Sequence, residues 1–158
     1  MIDLTSSAKR VQDVLCDKGV DCEVKAFPAS TRTARDAAEA IGCQLGQIAK
    51  SILFKAGVNE DAVLVIASGA IRINEKKIQN LVGQPVKKAD AKFVREKTGF
   101  AIGGVPPVGH IEKPVIIIDE TLNGFDTIWA AAGTPNAVFK LTFEQLKKIT
   151  NGIVGTVD

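Results

Sequence analysis

Lys50 is the first residue whose type does not suit its surroundings. In Ile48-Ala49-Lys50-Ser51-Ile52-Leu53-Phe54, strand alternation puts Ile48, Lys50, Ile52 and Phe54 on one face. An ammonium amid an apolar stripe either snorkels to solvent from an edge strand or meets an anion. In the second case it is an anchor for phosphate or carboxylate, because a point charge on a flexible stem suits both. A second feature is the segment Thr98-Gly99-Phe100-Ala101-Ile102-Gly103-Gly104-Val105-Pro106-Pro107-Val108-Gly109-His110, with four glycines and two prolines in thirteen residues. Such a segment neither continues a helix nor sits inside a central strand. Gly103 and Gly104 let a ligand approach main-chain amides, which can hold an oxyanion or a ribose hydroxyl. Pro106 and Pro107 stiffen the rest of the segment. The alternative is a purely structural crossover. The third feature, Ala130-Ala131-Ala132-Gly133-Thr134-Pro135-Asn136, has the small residues of a pocket wall, or of close packing alone.

Several chemistries are excluded by what the chain lacks. His110 is the single histidine, so a zinc site of two or three imidazoles cannot form. Cys16, Cys22 and Cys43 are odd in number and show no CxxC spacing, against both a disulfide framework and a zinc knuckle. Ser51 and Ser68 lie in no GxSxG motif. Gly99 and the Gly103-Gly104 pair lead into prolines instead of a helix, so the dinucleotide fingerprint is missing. The expectation is a site with no metal and no cofactor.

The elements that must position these residues follow from periodicity. Apolar residues at helical spacing predict a helix over 7–18 with Ala8, Val11, Val14 and Leu15 inward and Gly19 as its stop. Thr33 caps a second helix, with Asp36 at the capping-box position and Gly42 closing it. Short helices are expected over 74–81, before Gly83, and over 90–98, before Gly99. Thr142 and Gln145 form a capping box opening a final helix that carries Leu146 and Ile149. Strands are expected over 22–26, 48–54, 62–68, 114–118, 127–131 and 137–141. The 62–68 run is apolar on both faces, as in a central strand. Helices and strands mix without strict alternation, which points to an α+β or mixed-sheet domain.

Bulk properties narrow the class further. The 158 residues fit one domain, 1–158, with no repeat or linker. No apolar run approaches the roughly 20 residues that span a bilayer. The start Met1-Ile2-Asp3-Leu4-Thr5 lacks a basic segment followed by an apolar one, so a cytoplasmic location is expected. Net charge is only +2, but Arg72, Lys76, Lys77, Lys87, Lys88, Lys92, Arg95 and Lys97 crowd one stretch against Glu75, Asp90 and Glu96. That local surface can guide a polyanion, or can be the solvated faces of two helices.

Four segments in order resemble one family: Thr33-Ala34-Arg35-Asp36-Ala37-Ala38, Gln47-Ile48-Ala49-Lys50-Ser51, Gly99 through Gly109, and Ala131-Ala132-Gly133. Together they are similar to the YbaK/prolyl-tRNA-synthetase-associated domains, stand-alone relatives of the editing insertion in bacterial prolyl-tRNA synthetase. The resemblance covers nearly the whole chain. It implies an α+β domain with a curved mixed sheet flanked by helices. It also implies deacylation of mischarged tRNA, notably tRNA-Pro carrying a small non-cognate amino acid. The family's essential lysine falls on Lys50, and its GxxxP loop on Gly103 to Pro107, so Lys50, Gly103, Gly104 and Pro107 take the catalytic roles. Thr33, Phe100, Val105, Pro106, Gly109, His110, Ala131, Ala132 and Gly133 are the implied substrate-binding residues. The implied partners are the acceptor end of aminoacyl-tRNA and prolyl-tRNA synthetase. Alanine-specific members carry a histidine in a late motif, where this chain has Ala131-Ala132-Gly133. A non-catalytic tRNA- or nucleotide-binding module of the same fold is the competing reading.

Overall fold

Residues 4–158 are described by this computed structural model, so the Met1–Asp3 start lies outside the described residues. The helices are α1 (Ser6–Asp17), α2 (Ala34–Ile41), α3 (Glu75–Val82), α4 (Ala91–Thr98) and α5 (Phe143–Thr150). Each opens on a side chain that accepts a first-turn N–H, from Thr5, Thr33, Asn74, Asp90 and Thr142 respectively. Gly42, Gly83 and Gly99 end α2, α3 and α4 in the left-handed region, as their positions predict. The capping box at Thr142 and Gln145 is present in both directions. At α2, Thr33 Oγ1 accepts from the Asp36 amide at 3.0 Å.

The strands are β1 (Val24–Ala26), β2 (Ile48–Ala56), β3 (Asp61–Ser68), β4 (Val86–Lys88), β5 (Val115–Asp119), β6 (Ile128–Ala131), β7 (Ala137–Leu141) and β8 (Ile153–Gly155). Alternation missed β4 and β8, which have three residues each. Runs so short carry no readable period, and pairing with β2 and β5 is what makes them strands. All join one mixed sheet in the order β1-β7-β6-β2-β3-β5-β8, with β4 also on β2.

Lys50 therefore does not lie on an edge strand. On one side β2 pairs with β3 over its length. On the other, β6 meets it at Ile48 and Ala49, while β4 meets it at Phe54 to Ala56. Between those two partners β2 is open to the loop that follows α4.

The two faces of the sheet are covered differently. One carries a continuous core in which Leu53, Leu64, Ile66, Ile118 and Phe139 pack under α1, α4 and α5. On the other face α3 covers Phe54, Val63, Val65 and Ile117 through Ile78. There α2 covers Ile48 with Ala37 and Ala38. The groove that holds Lys50 is the gap between these two apolar patches.

Buried Asp119 fastens the sheet beside this gap. It ends β5 at 0% exposure and accepts from the Ser68 amide (2.9 Å), the Thr121 amide (2.9 Å) and Thr121 Oγ1 (2.7 Å). Asp119→Ala would leave the Ser68 amide unpaired, so a loss of about 2–3 kcal/mol is expected in denaturant unfolding. A loss under about 0.5 kcal/mol would show that this link does not hold the two strand ends together.

Candidate active site

The groove has a volume of about 390 Å³. Its floor comes from β2, with Lys50 at the centre and Ser51 and Ile52 beyond it. Parallel pairing sets Ile48 beside Trp129, and antiparallel pairing sets Ala131 beside Val138. Period two therefore places Trp129, Ala131 and Val138 on the Lys50 side. One wall is the start of α2 and the preceding turn, through Arg32, Thr33 and Ala37. The opposite wall is the glycine loop, through Ile102, Gly103 and Val105.

Lys50 Nζ donates to Ile71 O at 2.7 Å, which leaves two of its three N–H donors for another partner. Burial pushes this ammonium below the ordinary lysine range; the Asp119 carboxylate opposes that shift and Lys88 reinforces it. Ser51 Oγ is buried and has no hydrogen-bond partner, although Ser51 lines the groove. Such a hydroxyl gives up water on folding without compensation. Ser51 also borders a side recess of about 130 Å³, lined by Leu53, Val94, Ile102 and Val105 among others.

The implied site residues separate into two groups. Lys50, Thr33, Gly103, Val105 and Ala131 line the groove together. The others stand behind it. Gly104 donates its amide to Ala101 O at 3.0 Å and accepts from the Gly133 amide at 2.9 Å. A Cβ on Gly104 would lie 2.8–3.0 Å from the Thr134 backbone, so close packing, not ligand approach, explains this glycine. At Gly103 (φ +91°) an added Cβ would be crowded by the side chain of Arg32 instead. The adjacent glycines thus do different work.

Phe100 is a core residue at 1% exposure, and the Arg10 guanidinium lies 5.2 Å above its ring. Arg10 also donates to Gly109 O. Pro106 and Pro107 are buried. His110 Nε2 lies 2.6 Å from Pro106 O, and its ring meets Phe100 edge-on at 6.4 Å. Burial lowers the His110 pKa; the Pro106 contact raises it and Arg10 lowers it further. These residues pin the loop from behind, and Phe100, Pro106, Gly109 and His110 lie outside the groove lining. Ala132 and Gly133 also lie outside the groove lining. Ala132 is 0% exposed, and a Cβ on Gly133 would meet Ser7 O of α1 at 2.9 Å. Strand alternation turns Ala130 and Ala132 toward the opposite core and leaves Ala131 on the groove.

The groove also contains Arg32, Trp129, Ile102 and Lys88, none of which the sequence motifs single out as site residues. Trp129 was legible from its two-residue spacing to Ala131. Arg32 and Lys88 were not, because an exposed cation carries no local signal of what it faces. Among the described residues, no three His, Cys, Asp or Glu side chains gather as a metal-binding group. No described helix is long and apolar enough to cross a membrane.

Comparison with known proteins identifies the class. Residues 28–149 match the model of the aminoacyl-tRNA editing domain, and the chain belongs to that family. The uncharacterized protein YwhH of Bacillus subtilis is 34% identical over 128 residues, covering 81% of each chain. The proline–tRNA ligase of Lactobacillus acidophilus is 33% identical over 109 residues, 68% of this chain but 19% of the ligase. A crystal structure described as a candidate trans-editing enzyme for prolyl tRNA synthetase superposes with a TM-score of 0.92 at 44% identity, covering 99% of both chains.

Two outcomes are expected from the geometry. Gly104→Ala and Gly103→Ala should each lower the melting temperature, the first through contact with the Thr134 backbone and the second through its left-handed φ. An unchanged melting temperature for Gly104→Ala would mean that Gly104 is not held against Thr134. Ser51→Ala should leave stability unchanged or raise it by up to about 1–3 kcal/mol. A destabilised variant in urea unfolding would reveal a hydrogen bond to Ser51 that the structure lacks.

Proposed function

We propose that the groove hydrolyses the ester linking a small non-cognate amino acid to the terminal ribose of tRNA-Pro, without a metal. The observation that carries this reading is the partly buried Lys50 ammonium in the groove floor, opposite the wall formed by Gly103 and Val105. The two N–H donors of Lys50 not used by Ile71 take the phosphate of the terminal nucleotide. A desolvated ammonium binds an anion more strongly than an exposed one, because water competes less.

With the phosphate held, the ester lies against the glycine loop. Water adds to the ester carbonyl, and the negative charge that develops on its oxygen is met by main-chain amides of the loop around Gly103. The carbon–oxygen bond to ribose then breaks. The ribose oxygen takes up a proton, and the products are the free amino acid and tRNA with its terminal hydroxyl restored. An aminoacyl ester is already activated, so positioning and oxyanion stabilisation suffice.

Selectivity rests on size. Ala131 and the apolar recess behind Ser51 admit a small uncharged side chain such as alanine, serine or cysteine. One methylene is worth only about 1–3 kcal/mol in such a site, so rates on these substrates should overlap. The rigid proline ring, which lacks a primary amine, fits poorly, and correctly charged tRNA-Pro is spared.

The deciding experiment measures amino-acid release from tRNA-Pro charged with alanine, serine, cysteine or proline. Lys50→Ala should lower kcat/KM by about 10²-fold or more, the loss expected when a charged hydrogen-bonded contact is removed. The same variant should stay folded, with stability within about 1 kcal/mol of wild type, because the lost hydrogen bond to Ile71 O offsets the relief of a desolvated ammonium. Exhaustive chelation should leave the wild-type rate unchanged. Near-wild-type turnover by folded Lys50→Ala would remove the anchoring role. Binding of tRNA without release of any amino acid would favour the non-catalytic module. A rate lost on chelation and restored by zinc would overturn the metal-free mechanism.

A further inference from the structure

Beside Lys50 a second basin of about 240 Å³ lies against the groove. The two cavities share Lys50, Ile52 and Lys88. The basin is lined further by Arg72, which follows the turn after β3, and by Ile71, Ile73 and Glu75. Antiparallel pairing brings Lys88 to the β2 edge opposite Phe54, so two cations distant in sequence stand beside Lys50. Both are exposed. The ion pairs among the described residues are Lys55–Glu60, Lys92–Glu96, Lys97–Glu112 and Lys147–Glu144. None uses Lys50, Arg72 or Lys88. Glu75 is the single carboxylate in the basin lining, against three cations, so the local field remains positive.

The two cavities beside the groove differ in character. The recess is lined by Leu53, Val94, Ile102 and Val105, with Lys88 as its one cation. The basin is lined by Lys50, Arg72 and Lys88. The substrate read into this groove is just as unequal, with an acyl group at one end and a phosphodiester chain at the other. Seating the aminoacyl group in the basin would set its α-amine, cationic when protonated, against three like charges. Seating phosphates in the recess would bury anions with Lys88 as their one partner. Only the opposite orientation matches charge to charge.

We propose that Arg72 and Lys88 form a second phosphate site. It holds the phosphodiester one nucleotide before the one held by Lys50, so that the acceptor strand leaves the groove through this basin. The guanidinium fork of Arg72 suits two phosphate oxygens, and Lys88 adds a point charge shared with the groove. The proposal rests on the deacylase reading for the direction of the chain.

Binding and hydrolysis test the two readings separately. The first measurement is the affinity of uncharged CCA trinucleotide and of adenosine 5′-monophosphate, by calorimetry, for wild type and for Arg72→Ala/Lys88→Ala. The double variant should weaken trinucleotide binding about tenfold more than monophosphate binding. The slope of log K against log salt for the trinucleotide should become shallower, by about 0.7 for each phosphate that is no longer neutralised. Equal weakening of both ligands, or an unchanged salt slope, would overturn the second site. The second measurement is hydrolysis of the same aminoacyl ester carried on the monophosphate and on the trinucleotide. If Arg72→Ala/Lys88→Ala raises KM for the trinucleotide selectively and leaves its kcat within about twofold, the site positions the strand as proposed. If trinucleotide binding behaves as expected but wild type hydrolyses neither ester, the deacylase reading fails while the phosphate site stands.

Discussion

An ammonium on an interior strand is a costly object, and much of this structure is arranged around one. β2 pairs with β3 along one side, and on the other β6 and β4 take only its two ends, so Lys50 sits where the gap between those partners opens. Its charge is held by one backbone carbonyl, with Asp119 as the nearby compensating carboxylate. The same face of the sheet would be a continuous apolar surface without it. Instead α2 and α3 cover that face in two separate patches and leave the lysine at the seam. A fully covering helix would have to desolvate the charge outright, which costs several kcal/mol for an unpaired ion. The groove is thus the structural consequence of keeping Lys50 charged and reachable.

The opposite wall has the complementary requirement of an irregular backbone that stays in one place. Its rigidity comes from behind, not from the prolines alone. Arg10 of α1 reaches over Phe100 to Gly109, His110 meets the Pro106 carbonyl, and Gly104 packs against Gly133 and Thr134. Preorganisation of this kind matters for a site that relies on main-chain groups, because a loop that had to order itself during the reaction would spend binding energy on doing so. It also explains why a family motif looks longer than the surface it presents. Many of its residues hold the few that face the ligand.

How much was readable beforehand depended on the range of the interaction. Caps and stops are local, and Thr33, Thr142, Gly42, Gly83 and Gly99 act where their positions predict. The face shared by Ile48, Lys50, Ile52 and Phe54 follows from a period of two, and the structure keeps it. β4 and β8 were invisible because their identity lies in their partners. The pair Gly103-Gly104 read as one feature, yet one residue crowds Arg32 and the other the Thr134 backbone.

By itself the sequence determined the class of element at most positions, the anomalous lysine, the stiff glycine loop and the exclusion of a multi-histidine or paired-cysteine site. Family motifs in order also carried the editing-domain assignment. Only the tertiary structure decided which implied site residues face the groove, placing Ala131 on it and Ala132, Gly133, Phe100 and His110 behind it. It alone brought Arg72 and Lys88 together beside Lys50. The physical reason is that caps, turns and alternation are settled by neighbours a few residues away. Burial and electrostatic partnership are instead settled by which distant segments the sheet order brings into contact.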